Sequence, residues 1–194
     1  MGVGSWSTGL MRAGRRPVTA GLVVVGIAAL SVAALPAPVA GAAPRPATWT
    51  QQTPTASPPA RYDASMADDP ATEDTVLLGG ANGSLLDDTW TRNATVWAEQ
   101  SPTTSPSARY GVSMAYDTAT HDVVLVGGGT SSGSAFGDTW TWNGTTWTEQ
   151  SPTVSLPARY YGSMAYDTAT GNLVLFGGDN GSTYFGDTWT YGSP

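Results

Sequence analysis

Apolar and polar residues alternate along this chain in short runs, and the runs recur. Ser113-Met114-Ala115-Tyr116-Asp117 has a period of two, which sets Met114 and Tyr116 on one face of a strand. Ser163 to Asp167 repeats it unchanged, and Ser65 to Asp69 is a variant, SMADD. A turn follows, Asp117 to Asp122 or Asp167 to Asn172, in which Gly171 marks a position of positive φ; His121 and Glu73 hold that position in the other copies. Next comes a continuous apolar run, Val123 to Val126 or Leu173 to Phe176, suited to a strand covered on both faces. Each run ends on a glycine pair, Gly79-Gly80, Gly127-Gly128 or Gly177-Gly178, which permits a tight departure or the close approach of a neighbour. A loop of variable length leads to DTWTWNGTTWTEQ, Asp138 to Gln150, which reads as a hairpin turning at Asn143-Gly144. That turn puts Trp140 opposite Trp147 and, by the same count, Trp90 opposite Trp97. A Pro-rich connection, SPTTSPSAR or SPTVSLPAR, returns the chain to the next alternating run.

The pattern predicts four short antiparallel strands per unit. The first glycines of the pairs, Gly79, Gly127 and Gly177, are 48 and 50 residues apart, a period that belongs to a repeat architecture. The repeats run over 60–107, 108–157 and 158–194, and the third stops after its third strand. Residues 43–59 are rich in Pro and Thr and contain a fourth strand detached from any body: ATWTQQTP, at 47–54, matches TTWTEQSP at 145–152. Ahead of it, Arg12, Arg15 and Arg16 precede an apolar stretch from Val18 to Leu35, and small residues follow. That is the layout of a signal peptide over 1–42, cut before Ala43, with an apolar helix at its centre. The expected location is therefore outside the cell, and an uncleaved leader anchoring the repeats to a membrane is the alternative.

Four strands per unit, a glycine pair after the second, and the paired Trp90/Trp97 and Trp140/Trp147 resemble the kelch repeat of β-propellers. The resemblance extends from about Ala47 to Tyr191. It implies an all-β chain of about three blades, an incomplete ring whose innermost strands come first in each unit. Closed propellers have about four to eight blades. The detached strand at Trp49 has the chemistry to complete the Trp189 strand, and three blades leave those two ends far apart. A two-fold dimer, in which each Trp49 strand completes the partner's last blade in a six-bladed ring, is one expectation. A truncated or degenerate propeller without independent function is another.

Composition narrows the chemistry. Charged residues are 12% of the chain, which leaves Thr, Ser and Gly in the polar positions and favours strands and turns over helices. Removing the three leader arginines from the eight basic residues leaves five against fifteen acids, a net charge near −10. Nucleic-acid binding needs the opposite sign. The absence of Cys excludes disulfides and thiolate chemistry, and a lone turn histidine, His121, makes no metal site. Galactose oxidase, a relative within the resembled superfamily, carries a copper site with a Tyr–Cys crosslink and two His, which this composition cannot build. No cofactor is expected.

Residues that recur in every unit read as scaffold: Arg61, Arg109 and Arg159, the glycine pairs, and Trp49, Trp90, Trp97, Trp140, Trp147 and Trp189. The arginines are expected to bridge blades through a carboxylate or a carbonyl, or to stack on Trp. The recurring Asp88, Asp138 and Asp187 fit the same reading, because one active site needs asymmetry. Tyr161, Tyr184, Phe136 and Phe185 crowd the variable parts and are the candidate binding residues, suited to sugar rings or a protein partner. No catalytic residue stands out. The functional expectation is a non-catalytic exported scaffold for an extracellular protein or glycan, with a propeller-type hydrolase as the alternative.

Overall fold

Short alternating runs bounded by Gly, Pro and Asn form strands of four or five residues. In the structure, a computed structural model, β1 (Ser65–Asp69), β2 (Asp74–Leu78), β3 (Thr89–Asn93) and β4 (Val96–Gln100) pair in sequence order as one antiparallel sheet. β5 (Ser113–Asp117), β6 (Asp122–Val126), β7 (Thr139–Trp142) and β8 (Trp147–Gln150) form a second. β9 (Ser163–Asp167), β10 (Asn172–Phe176) and β11 (Thr188–Tyr191) form a third, of three strands. The structure describes residues 46–192. The signal peptide and helix expected over 1–42 lie outside the described residues, as does the expected cleavage before Ala43.

The sheets are blades stacked face to face, with β1, β5 and β9 side by side. Alternation decides the stacking. Ala67, Val76 and Leu78 on one face of the first blade bury against Met114, Val123, Leu125, Trp142 and Trp147 of the second. The opposite face of the second blade, Val124 and Val126, buries against Leu173 and Leu175 of the third. Hydroxyls stitch the inner strands together: Ser65 Oγ donates to Val112 O (2.5 Å) and Ser113 Oγ donates to Gly162 O (2.6 Å). The two outermost faces are open. Met66 on the first blade is 57% exposed and Phe176 on the third is 56% exposed.

The hairpin register differs from the sequence expectation. Trp142 pairs with Trp147 and Trp140 with Glu149; in the first blade Arg92 pairs with Trp97 and Trp90 with Glu99. In the second blade a four-residue loop replaces the two-residue turn. The Asn143 side chain accepts from the N–H groups of Thr145 (3.1 Å) and Thr146 (3.0 Å), an Asx closure that shifts the count by two. The strand expected at 47–54 is also absent: that segment is irregular and Trp49 is fully exposed. No described strand pairs with it, and a lone segment has no ladder to join.

The recurring arginines act within blades. Arg109 donates to both carboxylate oxygens of Asp138 (2.7 and 2.9 Å) and to Gly127 O (2.9 Å), while Asp138 also accepts the Trp140 indole N–H (2.8 Å). Arg61 with Asp88 and Trp90, and Arg159 with Asp187 and Trp189, repeat the unit. The expected bridge between blades is made by main chain instead. Gly80 N–H donates to Arg109 O and Gly128 N–H to Arg159 O, both at 2.9 Å. Gly79 shows why glycine is needed: it sits at φ 71°, and a Cβ there would lie 2.5 Å from Arg109 O.

Candidate functional site

Each Arg-Tyr dipeptide ahead of an inner strand carries its chain to one end of the stack. Tyr110 exchanges hydrogen bonds with Gly129 across the blade, donating to Gly129 O (3.2 Å) and accepting from Gly129 N–H (2.7 Å). The residue after each Tyr is Asp63, Gly111 or Tyr161, and all three hold left-handed backbone, φ 56°, 61° and 59°. Main-chain bonds link them from blade to blade: Gly111 N–H donates to Asp63 O (2.9 Å) and Tyr161 N–H to Gly111 O (2.7 Å). Glycine takes this conformation freely and aspartate at little cost, so the local strain falls on Tyr161.

The Asp63 and Tyr161 side chains meet. The Tyr161 ring crosses the second blade above Gly111, where a Cβ would come within 2.7 Å of it, and its hydroxyl donates to Asp63 Oδ2 at 2.7 Å. Residues 98 apart in sequence are thereby joined across three blades. Beneath them is a cavity of about 460 Å³, lined by Tyr62, Asp63, Tyr110, Tyr161 and the loops at Ser84 and Ser131. Tyr160 is buried behind it, and its ring stands edge-on to Tyr161 (centroids 5.2 Å) and tilted against Tyr110 (5.4 Å).

Both neighbouring tyrosines resist ionisation. The Asp179 carboxylate beside Tyr160, helped by burial, pushes its phenol up to about 12. Burial first, then the Asp63 carboxylate, pushes Tyr161 well above the ordinary value near 10. Raised folded-state values mean that the stability from these phenols is fully present below about pH 10 and is lost as pH rises through the folded values. In an alkaline titration followed by tyrosinate absorbance, two phenols should therefore ionise after the others. Tyr161→Phe should remove one late phenol; a variant with both still present would contradict the assignment.

The structure places the other candidates apart. Tyr184 is 91% exposed and lines a separate cavity of about 270 Å³ with Tyr160 and Asp179. Phe136 and Phe185 are half-buried, each under a guanidinium: Arg109 lies 4.0 Å above Phe136 and Arg159 lies 4.2 Å above Phe185. The stacking partner of Arg109 and Arg159 is thus Phe rather than Trp. Tyr62, Asp63 and Tyr110 are members of the site that repetition hid, because a tyrosine present in every unit reads as scaffold. Their signal lay one residue on, in the column of Asp63, Gly111 and Tyr161, where glycine alternates with bulky residues. Among the described residues no group of three or more His, Cys, Asp or Glu is placed to share a metal ion.

Three antiparallel sheets stacked face to face, inner strands together and loops gathered at one end, define blades of a β-propeller-like fold. The chain is similar to the solved structure of YjhT, with a TM-score of 0.54 and 18% identity over 66% of this chain. The match spans 42% of that structure's chain, and at this identity the likeness concerns the fold. No protein-family model matches the chain, and no curated protein does.

Proposed function

We propose that this chain is an exported kelch-type propeller module that binds a glycan, without catalysis, in the cavity under Tyr161. The supporting observation is the contact of Tyr161, held on left-handed backbone, with Asp63 over Gly111. Backbone strain concentrates where a ligand site requires a particular side-chain placement. Aromatic rings beside hydroxyls and one carboxylate in a concave site suit a sugar, which presents both C–H faces and hydroxyls. The net negative charge of the chain favours a neutral or basic glycan over an acidic one.

Hydrolysis fits less well. Among the described residues Asp63 is the one carboxylate on the cavity wall, whereas glycosidases typically pair two. A phenol pushed upward stays neutral at physiological pH and is a poor nucleophile.

The test is titration calorimetry of the purified protein with neutral gluco-, galacto- and manno-configured oligosaccharides. One of them should bind, and Tyr161→Ala and Asp63→Ala should each weaken it at least about tenfold, the loss of one stacking or hydrogen-bonding contact. Melting temperatures report whether the fold survives each change. A panel without a binder, or a binder indifferent to both substitutions, overturns the proposal.

A further inference from the structure

The tyrosine cavity contains a carboxylate that has no cationic partner among the described residues. Asp88, Asp138 and Asp187 each face an arginine nitrogen, at 2.6, 2.7 and 2.7 Å. Asp63 accepts from a neutral phenol instead: its Oδ2 takes the Tyr161 hydroxyl, which leaves Oδ1 for a ligand. The cations of the described residues lie elsewhere. Arg61, Arg109 and Arg159 are engaged in those three pairs, Arg92 borders a separate cleft with Met66 and Trp97, and His121 lies beside Tyr116. From residue 46 onward the sequence carries four arginines against fifteen acids, so no basic patch offsets the charge.

Three phenol rings share the cavity with that carboxylate: Tyr62, Tyr110 and Tyr161. The Tyr110 and Tyr161 centroids are 5.8 Å apart with their planes inclined by 55°, and Tyr62 and Tyr161 are 63% and 48% exposed, open to a ligand. A phenol ring has a negative face, and a cation within about 6 Å of its centroid is attracted to it. The rings keep that character wherever an amine is charged. Burial and then the Asp63 carboxylate raise the Tyr161 phenol, the Asp179 carboxylate raises Tyr160 behind it, and both stay neutral there. The carboxylates that disfavour a phenolate favour an ammonium group.

We infer, resting on the glycan reading of this cavity, that it selects a sugar carrying a charged amine, with the ammonium group of a 2-amino-2-deoxy sugar seated against the tyrosine rings and bonded to Asp63. The amine gives Asp63 the charged partner that arginine gives Asp88, Asp138 and Asp187, and Oδ2 keeps the Tyr161 hydroxyl. A volume of about 460 Å³ is within the range of small-molecule sites and has room for the sugar ring as well. The Ser84 and Ser131 hydroxyls border it on the loops that differ most between units, and they are placed to bond the sugar hydroxyls. An N-acetyl group in place of the amine removes the charge that the site selects. A carboxylated sugar is repelled by Asp63.

Calorimetry on the purified protein compares 2-amino-2-deoxy oligosaccharides of gluco, galacto and manno configuration with their neutral and N-acetylated counterparts, in mildly acidic buffer where the amine is charged. In the configuration that binds, the amine form should bind at least about tenfold tighter than either counterpart, the factor expected of a cation on desolvated rings beside a carboxylate. Raising the salt from about 0.05 to about 0.5 M should shrink that preference, because the attraction is screened. Asp63→Asn keeps an acceptor for the Tyr161 hydroxyl, suits left-handed backbone and removes the charge; it should bring the amine form to within about threefold of the neutral one. Equal binding of amine and neutral forms by the unaltered protein overturns this inference and leaves the glycan reading standing. A preference that survives both salt and Asp63→Asn also overturns it. Choline is the control for a cation without a sugar, with 3,3-dimethyl-1-butanol as its uncharged isostere. If choline binds over that isostere and no oligosaccharide binds, the sugar is overturned and the glycan reading with it.

Discussion

Arg109→Ala should lower the unfolding free energy by about 3–5 kcal/mol, the cost of removing one member of a buried ion pair. Arg109 is 1% exposed. Its guanidinium donates to Asp138, Gly127 O and Ser107 O, and it stacks on Phe136. Removing it leaves the Asp138 carboxylate with the Trp140 indole as its one side-chain donor among the described residues, and leaves Gly127 O without its side-chain donor. Arg109→Lys should recover little, because an ammonium cannot reproduce the planar fork. Asp187→Asn should cost less than Asp138→Asn, since Asp187 has a side-chain exposure of 37% against 18% and water screens its pair with Arg159. Hydrogen bonds from Arg61 and Arg159 hold the Asp88 and Asp187 carboxyls below the usual carboxylate value. Because these folded-state values are depressed, their stabilisation is present above about pH 4 and is lost as pH falls through the folded values. Urea midpoints at neutral pH and at about pH 3 measure both effects.

The blades were legible in the sequence because each strand shows its own alternation and ends on its own turn residues. SMAYD and the glycine pair needed no tertiary information. Hairpin register was not legible, since Asn143-Gly144 fits two closures. One is a two-residue turn; the other is the loop in which the Asn143 side chain captures Thr145 and Thr146. Which forms depends on how Trp142 and Trp147 bury against the first blade, a contact between units. The site was half legible. Tyr161 stood out as a departure from the repeat, but its partner Asp63 is 98 residues away and joined only by stacking. Phe136 and Phe185 departed from nothing except loop length, and their place beneath guanidiniums is set by the Arg–Asp pairs. Repetition identifies scaffold well, but it conceals a repeated residue such as Tyr110 that also lines a site.

Trp147→Ala should be the most damaging single change between the first and second blades, costing about 3–5 kcal/mol as a large-to-small substitution in a core. Trp147 is 1% exposed, lies 5.4 Å from Trp142 centroid to centroid, and donates its indole N–H to the buried Thr89 hydroxyl across the blade interface. Alanine leaves both a cavity and an orphaned hydroxyl. Trp147→Phe should recover most of the packing and still lose the bond to Thr89, for a net cost of roughly 1–2 kcal/mol. Trp142 is the instructive contrast. It is fully buried, and its indole N–H has no partner among the described residues. Trp142→Phe removes an unsatisfied donor along with some volume, so the two terms oppose and the change should cost less than Trp147→Phe. Thermal and urea unfolding of the three variants gives the order. If Trp142→Phe proves the costlier Phe variant, packing volume rather than the Thr89 bond governs this interface.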